Sequence, residues 1–269
     1  MNKTRLVLGV EYDGSGFSGW QWQTHQRSVQ QVLEQALSKV ANHPVTVQCA
    51  GRTDTGVHAL EQVVHFDTTS QRDLHAWLLG GNSHLPDDVR ISWIETAIGD
   101  FHARYTAIAR FYRYIILNRP IKSALLRNQA TWCRIPLNEK IMHQAAQHLI
   151  GHHDFSSFRA QGCQSKSPCR TIYFIEVYRQ EDQVIIDISA NAFLHHMVRN
   201  IAGVLMAIGT EKQPVEWTRE LLEAKDRKLG GVTAPPDGLY LGAVYYPAHY
   251  GLTQHPIFDK LPADARRHD

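Results

Sequence analysis

The 269-residue chain contains no apolar run approaching the roughly 18 residues of a membrane span, so no transmembrane helix is expected. The early run Leu6-Val7-Leu8-Gly9-Val10 is too short for the apolar core of a secretory leader. Cysteine is scarce. Cys49, Cys133, Cys163 and Cys169 lie far apart or in spacings that suit no metal, and two sit in or beside β-like apolar runs, where a free thiol packs as a small hydrophobe. A reduced, cytoplasmic protein is therefore expected. There is no P-loop and no dinucleotide fingerprint. Nor is there a persuasive Ser-His-Asp or Cys-His arrangement for nucleophilic catalysis. Histidine, by contrast, is abundant at 16 residues, crowding at His148, His152 and His153 and again at His195 and His196. None has a firm zinc spacing with a suitable cysteine or acid, so no metal is expected and most are read as surface or packing residues.

Net charge is also small, at +2, but its distribution is uneven. Phe101 to Asn138 holds no Asp or Glu and seven basic residues: Arg104, Arg110, Arg113, Arg119, Lys122, Arg127 and Arg134. Phe155 to Phe174 is likewise acid-free and carries Arg159, Lys166 and Arg170. Such stretches suit a polyanion-binding face, although solvated basic loops would give the same pattern. With 43% hydrophobic residues, a sizeable core is available.

The periodicities predict an α+β fold. Strands are expected at Arg5–Glu11, Val45–Ala50, Gln62–Phe66, Arg90–Ile98, Ala109–Leu117 and Gly238–Tyr246, with a hairpin from Ile172–Tyr178 and Val184–Ile188. Helices are expected behind the Ser28 cap up to His43-Pro44, at Leu74–Leu79, Asn138–Ile150, Phe193–Ile208 and Val215–Ala224. The tail after Pro247 is expected to lie on the surface. No Ser/Gly linker separates the halves, which meet around Asn118–Pro136. Two packed subdomains, 1–117 and 118–269, are expected to form one catalytic unit with a cleft between them.

Three segments could carry chemistry. Asp54 follows a strand and lies between Gly51 and Gly56, which permit a sharp turn and close approach of a ligand. Arg52 would keep that carboxylate ionised and oriented, ready to act as nucleophile or base. A carboxylate that only stabilises its own turn would look the same. In Arg110-Phe111-Tyr112-Arg113-Tyr114, strand alternation puts Arg110, Tyr112 and Tyr114 on one face. Guanidinium groups beside aromatic rings suit an unstacked nucleobase, and an amphipathic strand with half-buried tyrosines is the other reading. Arg199 lies early in an otherwise apolar helix and needs a partner there. Asp54 across the cleft is one candidate, and a snorkelling route to the surface is the other.

Gly51-Arg52-Thr53-Asp54-Thr55-Gly56-Val57-His58 closely resembles the signature of the TruA family of tRNA pseudouridine synthases. The match continues through Glu11-Tyr12-Asp13-Gly14, Gly19-Trp20-Gln21, Gln62–Phe66, Asp100–Arg104, Arg110–Tyr114, Asp154–Arg159, Asn191–Ile201 and Gly238–Leu241. Thr55 departs from the Ala usual in the family, and Pro120 after Arg119 alters a loop that meets tRNA. The resemblance implies a pseudouridine synthase fold: two α/β subdomains with a mixed, mostly antiparallel central sheet flanked by helices, and an active-site cleft. It implies isomerisation of uridine to pseudouridine at positions 38, 39 and 40 of the tRNA anticodon stem-loop, by a homodimer that uses no metal and no organic cofactor. It implies Asp54 as nucleophile, Tyr112 against the target uracil, Arg199 paired with the Asp, and Arg52 in base flipping. Phe101, His102, Ala103, Arg104 and Tyr105, together with Gly162, Cys163, Gln164, Ser165, Lys166 and Arg72, correspond to RNA-contacting segments. A non-catalytic tRNA-binding or chaperone protein could use the same basic and aromatic face. Pure binding, however, has no need of the set Asp54, Arg52, Tyr112 and Arg199.

Overall fold

The structure, a computed structural model, describes residues 3–252. These residues hold ten strands and five α-helices and divide into two compact units, 3–108 with 240–252, and 109–239.

The first unit is built on β1 (Thr4–Tyr12), β3 (His58–Thr68), β4 (Val89–Thr96) and β10 (Leu239–Tyr245), in the order β4-β1-β3-β10. β1 pairs antiparallel with both β3 and β4, Leu8 facing Val64 on one side and Ile94 on the other. β10 runs parallel to β3, with Tyr240 opposite His58. The short β2 (Gln48–Cys49) lies antiparallel on β3. Leu6, Leu8 and Val10 alternate along β1 with Val7 and Gly9, yet all but Gly9 are core hydrophobes, so both faces of this strand are covered. Two helices accompany this sheet. α1 (Val29–Ala41) starts at Ser28, whose hydroxyl accepts the Gln31 amide, and buries Leu33 and Leu37. α2 (Leu74–His84), capped by Asp73, puts Trp77 edge-on against Phe66 at 5.2 Å.

The second unit carries β5 (Ala109–Asn118), β6 (Thr131–Cys133), β7 (Gly151–Asp154), β8 (Cys169–Gln180) and β9 (Gln183–Ala190). Its order is β5-β9-β8-β7, antiparallel throughout, with β6 added parallel to β5. Its helices are α3 (Glu139–Gln147), α4 (Met197–Gly209) and α5 (Trp217–Ala224). α3 is capped by Asn138, which accepts the Lys140 and Ile141 amides. Buried Asp187 on β9 holds Arg113 of β5 in a two-pronged ion pair, 2.8 Å at each contact, and also accepts the Tyr178 hydroxyl. A buried carboxylate is tolerated here because a guanidinium and a hydroxyl together supply three donors to its two oxygens.

Four expectations need correction. The Val45–Ala50 strand pairs only at Gln48–Cys49. The strand after Asp54 is longer than expected, beginning at His58. The expected helix from Phe193 starts only at Met197, because His196 takes a left-handed conformation (φ 60°) that L side chains leave the helix to adopt. The tail is not all surface: Tyr250 and Leu252 are buried, and residues 253–269 lie outside the described residues. β6 and β7 have no counterpart in the sequence expectations.

Candidate active site

Asp54 sits half-buried in the loop joining β2 to β3. Its carbonyl accepts the Val57 amide at 3.1 Å, with Gly56 at φ 78° and Thr55 at ordinary negative φ. That is a type II turn, which needs positive φ at its third residue and so favours the glycine found there. Thr55 occupies the permissive second position and is exposed.

Four separate contacts fix the loop that leads into this turn. Gln62, fully buried on β3, donates from Nε2 to the Gly51 carbonyl at 2.6 Å and accepts the Gly51 amide at Oε1 at 3.3 Å. One side-chain amide thereby satisfies both backbone groups of the residue that turns the chain toward Asp54. The Thr53 carbonyl accepts the Trp20 amide at 3.0 Å, and the Thr53 hydroxyl meets the buried Tyr12 hydroxyl at 2.7 Å. Beyond Asp54, the Gly14 amide donates to His58 Nδ1 at 3.1 Å, while the His58 ring stacks on Tyr240 at 4.6 Å. Close approach makes two glycines necessary here. A Cβ on Gly14 would come 2.0 Å from the Val57 carbonyl oxygen, and one on Gly19 would come 2.7 Å from that of Thr53. The carboxylate is thus carried on a backbone whose neighbours are locked, which is the requirement for a preorganised catalytic group.

Arg52 is exposed beside this loop. Its field and that of Arg104 both reach the half-buried Cys49 thiol, which burial nonetheless pushes up to about 12. That thiol stays protonated and packs as an apolar group.

The 101–105 segment combines buried anchors with exposed ends. Phe101 and Ala103 have buried side chains, so they cannot offer those side chains to a polyanion. They hold the segment instead: the Phe101 carbonyl accepts Arg5 Nη1 at 2.8 Å, and the Ala103 carbonyl accepts the Tyr246 hydroxyl at 2.7 Å. Arg104 and Tyr105 point outward, Tyr105 at 76% exposure, with the Arg104 guanidinium 5.7 Å from the Tyr105 ring. His102 is half-buried. Arg72 is exposed immediately before the Asp73 cap of α2.

In the second unit, Tyr112 is a buried residue of β5, its ring edge-on to Phe193 at 5.1 Å. Tyr114 is fully buried, its hydroxyl meeting Thr131 at 2.6 Å and donating to the Pro235 carbonyl; burial raises its ionisation well above the ordinary value. Arg110 and Tyr112 share a face as expected, and Arg110 donates to the Asn191 carbonyl at 2.8 Å. Arg199, on the first turn of α4, is half-buried; its Nε donates to the Ala234 carbonyl at 2.8 Å while its own carbonyl accepts the Ala234 amide. Its head is therefore held in place rather than left to sweep through solvent.

The 162–166 loop is organised from within. Arg159 donates to the Cys163 and Ser165 carbonyls at 2.6 and 2.7 Å, and Arg170 donates to the Ser165 hydroxyl and the Ser167 carbonyl. Both guanidinium groups turn inward, leaving Gly162, Gln164 and Lys166 as the exposed residues. Burial raises the Cys163 thiol, but amide donors from His195 and Ser165 and the Arg159 guanidinium outweigh it and hold it below its ordinary value.

Tyr12, Gly14, Gly19, Trp20 and Gln62 support the Asp54 loop although no spacing rule assigns them to it. Their signal was available, since each falls within a stretch that resembles the family motifs.

A family model described as tRNA pseudouridine synthase matches residues 9–106 and 145–247. The tRNA pseudouridine synthase A of Methylococcus capsulatus is 60% identical over 264 residues, covering 98% of this chain and 97% of its own. That of Nitrosococcus oceani is 59% identical over 248 residues, 92% of this chain and 96% of its own. That of Coxiella burnetii is 55% identical over 253 residues, 94% of this chain and 97% of its own. On matches of this identity and extent, with the Asp54 loop and the 101–105 segment inside the matched regions, the chain belongs to the tRNA pseudouridine synthase family.

Proposed function

We propose that the chain isomerises uridine to pseudouridine in tRNA, at positions 38, 39 and 40 of the anticodon stem-loop, with Asp54 as its catalytic carboxylate. The observation that carries this reading is the clamped loop. Gln62, Tyr12 and Trp20 fix the backbone on one side of Asp54, and the Gly56 turn fixes it on the other. A turn that needed only its own stabilisation would not require so many buried partners from distant segments.

The chemistry breaks the bond between uracil N1 and ribose C1′ and joins C1′ to C5 of the turned base. The C5 proton leaves to solvent and N1 regains one. Nothing is oxidised, so the reaction demands positioned charge and a held base, not a redox partner. A target base in a helical stem must first leave its stack, at a cost of about a few kcal/mol. Arg52, exposed beside the loop, fills the vacated space or holds the backbone. Tyr112, which unlike Phe101 and Ala103 keeps 9% of its surface exposed, supplies a rigid aromatic surface for the extruded uracil, and Phe193 braces it edge-on. Arg199 pairs with the Asp54 carboxylate and orients it for nucleophilic attack. Arg72, Arg104, Tyr105 and Lys166, with their neighbours in 101–105 and 162–166, bind the tRNA backbone and exposed bases. The working assembly is a cytoplasmic homodimer in which one tRNA touches both subunits.

The test is to map pseudouridine in an unmodified tRNA before and after incubation with the purified protein. New pseudouridine at 38, 39 or 40 is expected where uridine stands there. Modification confined to other positions would overturn the site assignment, and an unchanged tRNA would overturn the activity.

A further inference from the structure

The segment that ends in Arg104 and Tyr105 is held by two imidazoles. His65, on β3 and 3% exposed, takes the Ala103 amide on Nδ1 at 3.1 Å. His102 takes the Arg104 and Tyr105 amides on its own Nδ1 at 3.1 and 3.3 Å. A backbone amide only donates, so each Nδ1 must present a lone pair, and each ring must be neutral with its proton on Nε2. The rings form a continuous chain: His65 meets His102 edge-on at 4.5 Å between centroids, and His102 lies tilted against Tyr105 at 4.3 Å. The charged and titratable groups around these rings include Arg5, Asp67 with Lys3 beside it, Arg104 and the Tyr246 hydroxyl, which donates to the Ala103 carbonyl. Arg5 is already committed to Asp67 by two contacts, at 2.7 and 2.9 Å. Burial, with the fields of His102 and Arg5 behind it, pushes His65 down to about 4, and burial lowers His102 as well.

We infer that His65 is a positioning residue for the RNA substrate: as a neutral acceptor, in series with His102, it fixes the 102–106 turn so that Arg104 and Tyr105 project in one geometry. The inference rests on the proposed role of the 101–105 segment in binding RNA. His65 itself is buried and meets no substrate. Its contribution is to remove backbone freedom from the turn before RNA arrives, so that ordering is not charged against binding. The low ionisation range keeps the lock closed at neutral pH, where a protonated ring would turn a donor toward the Ala103 amide.

The experiment compares His65→Asn and His65→Phe with wild type, measuring KM and kcat for an unmodified tRNA transcript. The Asn carboxamide oxygen can stand near the position of Nδ1 and accept the same amide, whereas Phe keeps the volume and removes the acceptor. The expected result is a KM for tRNA about tenfold higher in His65→Phe, with kcat within about twofold and KM largely restored in His65→Asn. Equal behaviour of the two variants, or a loss confined to kcat, would overturn the inference. His102→Asn and His102→Phe repeat the comparison at a half-buried position, and the same split is expected. Arg104→Ala separates the two claims. If it leaves KM unchanged, the RNA-binding role of the segment fails. If it raises KM while His65→Phe does not, the positioning role alone fails.

Discussion

Gln62→Leu tests whether Asp54 depends on the clamp beneath it. Leucine is close in size to glutamine, so the change leaves little cavity, but it removes both the donor and the acceptor that Gly51 uses. Gln62 is fully buried and Gly51 half-buried, so water can replace these bonds only in part. Leaving one buried polar group unmet costs about 1–3 kcal/mol, and two groups partly reached by water should cost about 2–4 kcal/mol together. For a chain of this size that lowers the thermal midpoint by roughly 5–15 °C. The loop would also loosen around Asp54, and a misplacement near 1 Å is worth about a hundredfold in rate. Single-turnover release of tritium from tRNA labelled at uridine C5 reads the chemical step directly. A Gln62→Leu protein with an unchanged midpoint and a wild-type single-turnover rate would refute the clamp. Tyr12→Phe, which removes one buried hydroxyl contact with Thr53, should show the same pattern at about 1 kcal/mol.

Two further outcomes follow from the charges around the site. His65 is held near 4, against an ordinary value of 6.5, so its neutral form is favoured by folding. Its stabilising contribution is complete above pH 6.5 and is lost progressively as pH falls toward 4, because the unfolded chain takes up the proton first. The stability lost between pH 7 and pH 4.5, read from denaturant midpoints, should be about 2–3 kcal/mol smaller in His65→Asn than in wild type. Arg104→Ala and Lys166→Ala should each weaken tRNA binding more at low salt than at high. Each should reduce the slope of log affinity against log salt by about 1, and an unchanged slope would mean that the side chain does not meet phosphate.

Much of this fold was legible because the signals are local. Ser28 announces α1 and its side chain accepts the Gln31 amide as a cap should, while apolar spacing announces α3. The β8–β9 hairpin follows from two apolar alternations around a polar turn. What was missed depends on partners distant in sequence. β6 has three residues and exists because β5 offers Ile116–Asn118 as a parallel edge. β3 reaches back to His58 because β1 and β10 supply pairing that the mixed sequence His58-Ala59-Leu60-Glu61 does not advertise. The apolar spacing of Phe193 and Leu194 suggests helix, but the positive φ of His196 delays it to Met197. At the site the same division holds. Gly51 and Gly56 mark Asp54 as a turn carboxylate, and Gly56 serves as expected. The clamp by Gln62, Tyr12 and Trp20 joins residues 11 to 41 positions apart, and no spacing rule reveals it. Phe101 and Ala103 sit in a segment expected to bind RNA, yet alternation alone did not show that their side chains point into the core.

If Asp54 performs chemistry on a tRNA that other residues bind, catalysis and binding must separate when its charge is removed. Asp54→Asn keeps the size of the side chain and removes its charge, so the clamped loop should persist. Tritium release from C5-labelled tRNA and filter binding of the same tRNA, measured side by side, decide the matter. For Asp54→Asn, tRNA affinity is expected within about threefold of wild type, a difference below 1 kcal/mol, with tritium release abolished. Wild-type release from Asp54→Asn would contradict a catalytic Asp54.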